Sequence, residues 1–328
     1  MVEAGTVCPR AVLMTRRVAA VDCGTNSLRL LVADVGRAEL TDVARRMEIV
    51  RLGEGVDRTG QLAPAALART AGVLRDYADV IAATGARSVR MVATSATRDA
   101  GNTAEFTRQV KEILGVAPEV LTGSEEAMLS FTGATAELAA GDSAGFGGPF
   151  LVADIGGGST EFVLGAPDES SMHAISVDIG CVRMTERHLA GDPPAGTELA
   201  AATADIDAAL DVVAAAVPAG QARTLIGLAG SVTTVAGIAL GLPAYDAARI
   251  HHARVPAADV HEVARSLLAQ TRAARAVIGV MHPGRVDVIG GGALILDRIM
   301  RRFGFSDVLV SEHDILDGIA WSLARGEP

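Results

Sequence analysis

One short pattern occurs twice in this chain and limits what it can fold into. V-D-C-G-T-N-S-L-R-L at 21–30 and A-D-I-G-G-G-S-T-E-F at 153–162 each run an apolar segment into an aspartate, break at a glycine, pass a hydroxyl and return to apolar residues. Superposed, Asp22 meets Asp154, Gly24 meets Gly156 and Ser27 meets Ser159. A single copy reads as an ordinary hairpin, because Gly, Asn and Ser are common turn residues. Two copies imply a duplicated α/β fold whose hairpins face one ligand across a cleft.

The turn chemistry suits phosphate. Gly24 and the run Gly156, Gly157 and Gly158 let the backbone come close and aim successive N–H groups at an anion. Thr25, Asn26, Ser27 and Ser159 add polar groups without bulk. An aspartate at a strand end cannot hold phosphate itself, since like charges repel, but it can hold Mg²⁺ or a metal-bound water that does.

The remaining sequence alternates strands with helices. At 328 residues it has room for about two domains. Leu67, Ala71, Leu74, Ala78 and Ile81 keep helical spacing between Pro64 and Thr84. The segment 88–100 opens as a strand, Asn102 with Glu105 predicts a capped helix ending near Gly115, and Ser124 is the candidate cap of a helix bearing Met128, Phe131, Thr135 and Leu138. The Gly-rich stretch 141–149 reads as a surface loop, and helical spacing resumes from Glu198 to Val217. Strand-then-helix units at 224–240, 286–300 and 307–323 close an α/β chain.

A net charge of −10 argues against nucleic acid as partner, so a polyanionic ligand must be met locally, by a metal ion or a small basic cleft. No apolar run approaches the roughly 20 residues of a membrane span, and no signal region precedes Arg16; the expected setting is the cytoplasm, without a membrane partner. Cys8, Cys23 and Cys181 are scattered and indicate neither a disulfide framework nor a thiolate metal site. Residues 1–14 are unlike the rest of the chain and are expected to be a disordered tail or a start-site artefact. His251 and His252, being adjacent, should point to opposite faces and not chelate one ion.

The paired turns resemble those of the actin, sugar kinase and heat-shock chaperone superfold. Finer motifs narrow the likeness: ATSATRDAGN, TGSEEA, DIGGGSTEFVLG, DIGCVRMTE, GLAGSVTTVAGI, RVDVIGGGALIL and VSEHDILDGIAW, in this order, are similar to the exopolyphosphatase and guanosine pentaphosphate phosphohydrolase family over nearly the whole chain after residue 15. The resemblance implies two ribonuclease H-like domains, 15–122 plus 312–328 and 123–311, and a homodimer. It makes Glu126 of TGSEEA the carboxylate that holds the attacking water, Arg98 a phosphate clamp, and Asp154 and Glu161, with Asp22 from the opposite hairpin, ligands of Mg²⁺ or its substitute Mn²⁺. Glu125 reads instead as a helix-terminus charge, and a carboxylate at that helix end should be a weak base. His313-Asp314 resembles the metal pair of another phosphohydrolase class, without that class's other ligands, and is read as accidental. Longer family members carry an extra C-terminal helical domain, which is not expected in this chain.

The implied activity is release of terminal phosphate from inorganic polyphosphate or from pppGpp. A kinase of the same superfold would recruit GLAGSVTT and IGGGALIL for adenosine, and a catalytically idle phosphate sensor is the third reading. One Trp and two Tyr leave few platforms for guanine, which slightly favours polyphosphate.

Overall fold

The computed structural model describes residues 15–326 apart from 38, 141–146 and 167–171; the expected tail at 1–14 and most of the Gly-rich loop lie outside the described residues. The chain forms two mixed sheets. The first, ordered β3-β2-β1-β4-β5, takes β1 (Arg16–Cys23), β2 (Ser27–Val35), β3 (Leu40–Ile49), β4 (Ser88–Ala93) and β5 (Glu119–Val120). The second, ordered β10-β11-β9-β6-β7-β8, takes β6 (Phe150–Ile155), β7 (Thr160–Gly165), β8 (His173–Val177), β9 (Thr224–Leu228), β10 (Arg254–Pro256) and β11 (Asp307–Val310). Each sheet is an antiparallel meander, β1-β2-β3 or β6-β7-β8, whose first strand carries a parallel neighbour, β4 or β9, on its other side. This repetition is the actin-like arrangement that the paired turns imply.

The central strands are mainly apolar because helices cover both faces. In β1, Ala19, Val21 and Cys23 pack toward Leu67, Leu74 and Ile81 of the helix Pro64–Thr84, while Val18 and Ala20 pack toward Ile315, Ile319 and Trp321 of the last helix, Ile315–Arg325. In β6, Phe150 and Val152 pack with Phe131 and Leu138 of the helix Gly123–Ala140. That helix and the last one touch backbone to backbone: a Cβ on Gly133 would lie 1.8 Å from the Asp314 carbonyl oxygen, and one on Gly318 2.0 Å from that of Leu129. They form a seam between the two halves. Elsewhere the halves are joined by ion pairs, Arg183 with Asp57 (2.5 Å) and Asp99, and Arg51 with Asp287 (2.8 Å).

Some local expectations are corrected. Asn102 does not cap the helix Thr103–Leu114; its amide pairs with the Leu62 backbone, accepting at 2.8 Å and donating at 3.0 Å, and Glu105 pairs with Arg108. The cap of Gly123–Ala140 is Thr122 rather than Ser124, since Glu125 N–H donates to Thr122 Oγ1 (3.3 Å) and the Glu125 carboxylate accepts from Thr122 N–H (2.8 Å). Residues 286–288 are a turn, not a strand, and the helix starts at Ile289; its inner glycines serve close packing, a Cβ on Gly292 falling 2.1 Å from Ser231 Oγ. Among the described residues no helix is long and apolar enough to cross a membrane, and Cys23 and Cys181 are buried and unbridged.

Candidate active site

The β1–β2 and β6–β7 hairpins carry the same turn to one cleft. Gly24 N–H donates to the Ser27 carbonyl at 3.0 Å, and Gly156 N–H to the Ser159 carbonyl at 3.0 Å. Asp22 faces Arg29 across the first hairpin, and Asp154 faces Glu161 across the second. The turns meet at close range, for a Cβ on Gly157 would lie 2.9 Å from Thr25 Cβ and one on Gly158 2.4 Å from Ser95 Oγ. The start of the helix Cys181–His188 ties up the turn carbonyls: Cys181 N–H donates to Gly156 (3.0 Å) and Val182 N–H to Gly157 (2.9 Å).

The cleft holds ≈ 790 Å³ of empty volume, counting its open mouth. Asp22, Gly24, Thr25, Asn26, Ser27, Glu126, Asp154, Gly156, Gly157, Gly158, Ser159 and Glu161 all line it. Arg98 does not stand open to an anion there. Its Nη1 donates to Glu126 Oε2 at 3.1 Å and to the Leu121 carbonyl at 3.0 Å, so in this structure it holds the glutamate.

The cleft carboxylates crowd one another in a buried setting. Burial, then Glu161, pushes Glu126 well above the usual carboxylate range, against the opposing pull of Arg98. This overturns the expectation that the helix end makes Glu126 a weak base; at a buried position desolvation outweighs the dipole. Asp154, with Oδ2 accepting from Ser130 at 2.6 Å, is raised to about 6 by burial and then by Asp314. Glu161, accepting from Ser176 Oγ at 2.6 Å, is raised to about 7 by burial and then by Asp154. Asp22 Oδ1 is buried without a hydrogen-bond partner. Buried, mutually repelling carboxylates with an unpartnered oxygen fit a hard divalent cation. Glu125, by contrast, is committed to the cap at Thr122 and held low by those hydrogen bonds.

Residues beyond the expected set also belong to the site. Arg29 donates to Asp22 Oδ2 (2.6 Å) and pairs with Asp314, the residue read as accidental, which caps the last helix. Half-buried Arg285 lies over Gly230 and lines both the cleft and an adjoining chamber of ≈ 1100 Å³ empty volume. That chamber is lined by Arg45, Arg46 and Tyr245, by Glu312 and Asp314, and by the apolar Met47, Val280 and Met281. Arg45 is paired with Asp317 at 2.6 Å, whereas Arg46 and Arg285 have no ion pair among the described residues. His251 and His252 do not point apart: the backbone turns left-handed at His252 (φ 61°) and their rings stack at 3.7 Å.

The profile of the Ppx/GppA phosphatase family matches residues 31–326. Exopolyphosphatase 2 of Mycobacterium tuberculosis is 51% identical over 321 residues, covering 94% of this chain and 98% of that protein. A guanosine-5'-triphosphate,3'-diphosphate pyrophosphatase of Pseudoalteromonas atlantica is 27% identical over 93% of this chain, which spans 58% of that protein. The crystal structure of an exopolyphosphatase-like protein superposes with a TM-score of 0.90 at 42% identity, covering 94% of this chain and 99% of its own.

Proposed function

The chain belongs to the Ppx/GppA phosphatase family, and on that premise we propose that it hydrolyses the terminal phosphoanhydride bond of inorganic polyphosphate, releasing orthophosphate. The observation that carries the reading is Glu126, a buried carboxylate of raised proton affinity at a cleft where two Gly-turns converge. In this reading the N–H groups of the turns hold phosphate, Glu126 orients the attacking water and takes its proton, and Arg98 fixes the carboxylate. Asp154 and Glu161, with Asp22 opposite, would hold Mg²⁺, or Mn²⁺ in its place; the ion supplies charge neutralisation on the phosphoryl oxygens when bound. The family resemblance adds a homodimer and a cytoplasmic setting to the proposal.

A second reading, hydrolysis of pppGpp, is favoured by the chamber, whose apolar side chains and whose Arg46 and Arg285, without an ion pair among the described residues, adjoin the cleft through Arg29 and Gly230. The test incubates the protein with short polyphosphate, long polyphosphate, pppGpp and ATP in parallel, with Mg²⁺, and measures released phosphate. Preferential release from polyphosphate supports the first reading, and preferential release from pppGpp replaces it by the second. Binding of these compounds without any release would mark a sensor, and phosphate passed from ATP to an added acceptor a kinase.

A further inference from the structure

A second group of metal-ligating side chains lies apart from the cleft carboxylates. Glu137, toward the end of the helix Gly123–Ala140, His251, just after the helix Ala247–Ile250, and His313, between β11 and the last helix, bring one ligand atom each within 4.8 Å of one another. Glu137 Oε2 stands 3.3 Å from His251 Nε2 and 3.4 Å from His313 Nδ1. Ligands at about 2.0–2.1 Å from a tetrahedral zinc ion are about 3.3–3.4 Å apart, so two edges of such a tetrahedron are already at length. The side chains are 49%, 22% and 25% exposed, which leaves an entry path and room for water as the fourth ligand.

We propose that Glu137, His251 and His313 bind a divalent transition-metal ion such as Zn²⁺, at a site separate from the carboxylates of the cleft. Two imidazoles and one carboxylate suit such an ion and not Mg²⁺, which takes oxygen ligands and keeps its waters. Stacking of His252 on His251 limits the ring's freedom. His251 Nδ1 accepts the Glu312 N–H at 3.2 Å, so its proton sits on Nε2, toward Glu137. An ion at Nε2 requires that proton to move to Nδ1 through solvent, at the cost of the Glu312 bond. The next residue along, Asp314, pairs with Arg29 at the cleft.

The experiment uses Co²⁺ as the probe, titrated into the protein with Mg²⁺ in large excess to fill oxygen-ligand sites, and reads the visible absorption of tetrahedral cobalt. The expected result is one bound Co²⁺ per chain with that absorption, displaced by Zn²⁺. His313→Ala and His251→Ala should each weaken binding by about 100-fold or more, beyond the 10–100-fold of losing an outer-shell partner. The exposed Glu137→Gln gives a variant that threatens no packing, and it should lose the tetrahedral band too. Asp154→Asn should keep the band. Absence of a tetrahedral band in the wild-type protein, its persistence in His313→Ala, or its loss only in Asp154→Asn would overturn the proposal.

Discussion

Replacing Glu126 by Gln separates catalysis from architecture. The amide keeps an oxygen that can accept from Arg98, now 3.1 Å from the carboxylate, and it removes a negative charge that burial and Glu161 both oppose. The fold should therefore hold, with a melting temperature equal to or above that of the parent, and substrate affinity should change little because the turn N–H groups are untouched. Turnover should fall by about 10²–10⁴, the contribution of a positioned base, equivalent to ~3–5 kcal/mol on the barrier. Glu125→Gln is the control. Its carboxylate accepts from Thr122 N–H (2.8 Å) and Thr122 Oγ1 (2.7 Å) in the cap, so the change should cost ~0.3–1 kcal/mol of stability and leave turnover near the parent value. The assay is steady-state phosphate release from short polyphosphate with Mg²⁺, beside thermal melts of both variants. Equal, modest losses of turnover in the two variants would refute the reasoning and send the search for the base to another cleft carboxylate.

Three further outcomes are expected. Chelation should abolish phosphate release and Mg²⁺ restore it, while Asp154→Asn should need much more metal for half-maximal rate; full activity of verified metal-free protein would refute the assignment of the cleft carboxylates. Gly158→Ala places a Cβ 2.4 Å from Ser95 Oγ and 2.8 Å from Thr25 Oγ1, which should cost ~1–3 kcal/mol of stability and misplace the turns, with partial recovery on adding Ser95→Ala; a parent-like melt and rate would contradict that contact. In metal-free protein, Asp154 (about 6) and Glu161 (about 7) bind protons more tightly folded than unfolded, so stability is full below the ordinary carboxylate range and is lost as pH rises through 6 to 7, by up to ~1.4 kcal/mol per pH unit for each proton released. Melts from pH 5 to 8 in chelator should fall with pH, and Mg²⁺ should flatten the fall; a rise would refute the raised values.

The two hairpins were legible because each turn is local: strand, aspartate, glycine and hydroxyl lie within a few residues, and the same order recurs. Arg29 was not, although it follows the first turn closely, because its meaning depends on the register that sets it opposite Asp22 and on Asp314, 285 positions away. Likewise the proton affinity of Glu126 is decided by burial and by Glu161 from another strand, which overrode the local argument from its helix end. β3 carries Asp42, Arg45, Arg46 and Glu48 with no clean alternation, since as an edge strand it has little to bury, and its partner β2 alone determines it. IGGG failed as a strand signal because close helix packing, Gly292 on Ser231 and Gly291 on the Cys181 carbonyl, and not turn geometry, accounts for those glycines.

The glycine seam has a mechanical meaning. The chain passes between its halves twice, before Gly123 and again at 311–314, and each passage leads into one of the two helices that meet at Gly133 and Gly318. Sliding along or across that contact would drive carbonyl oxygens into α-carbons, so the seam resists translation of one half past the other. Asp154 is bonded to Ser130, one turn from Gly133, and Arg29 to Asp314, one turn from Gly318, which ties charged groups of the cleft to the two helices of the seam. Arg183, buried and paired with Asp57, also donates to the Gly158 carbonyl at 2.6 Å, so a second tie between the halves stands beside the phosphate turn itself.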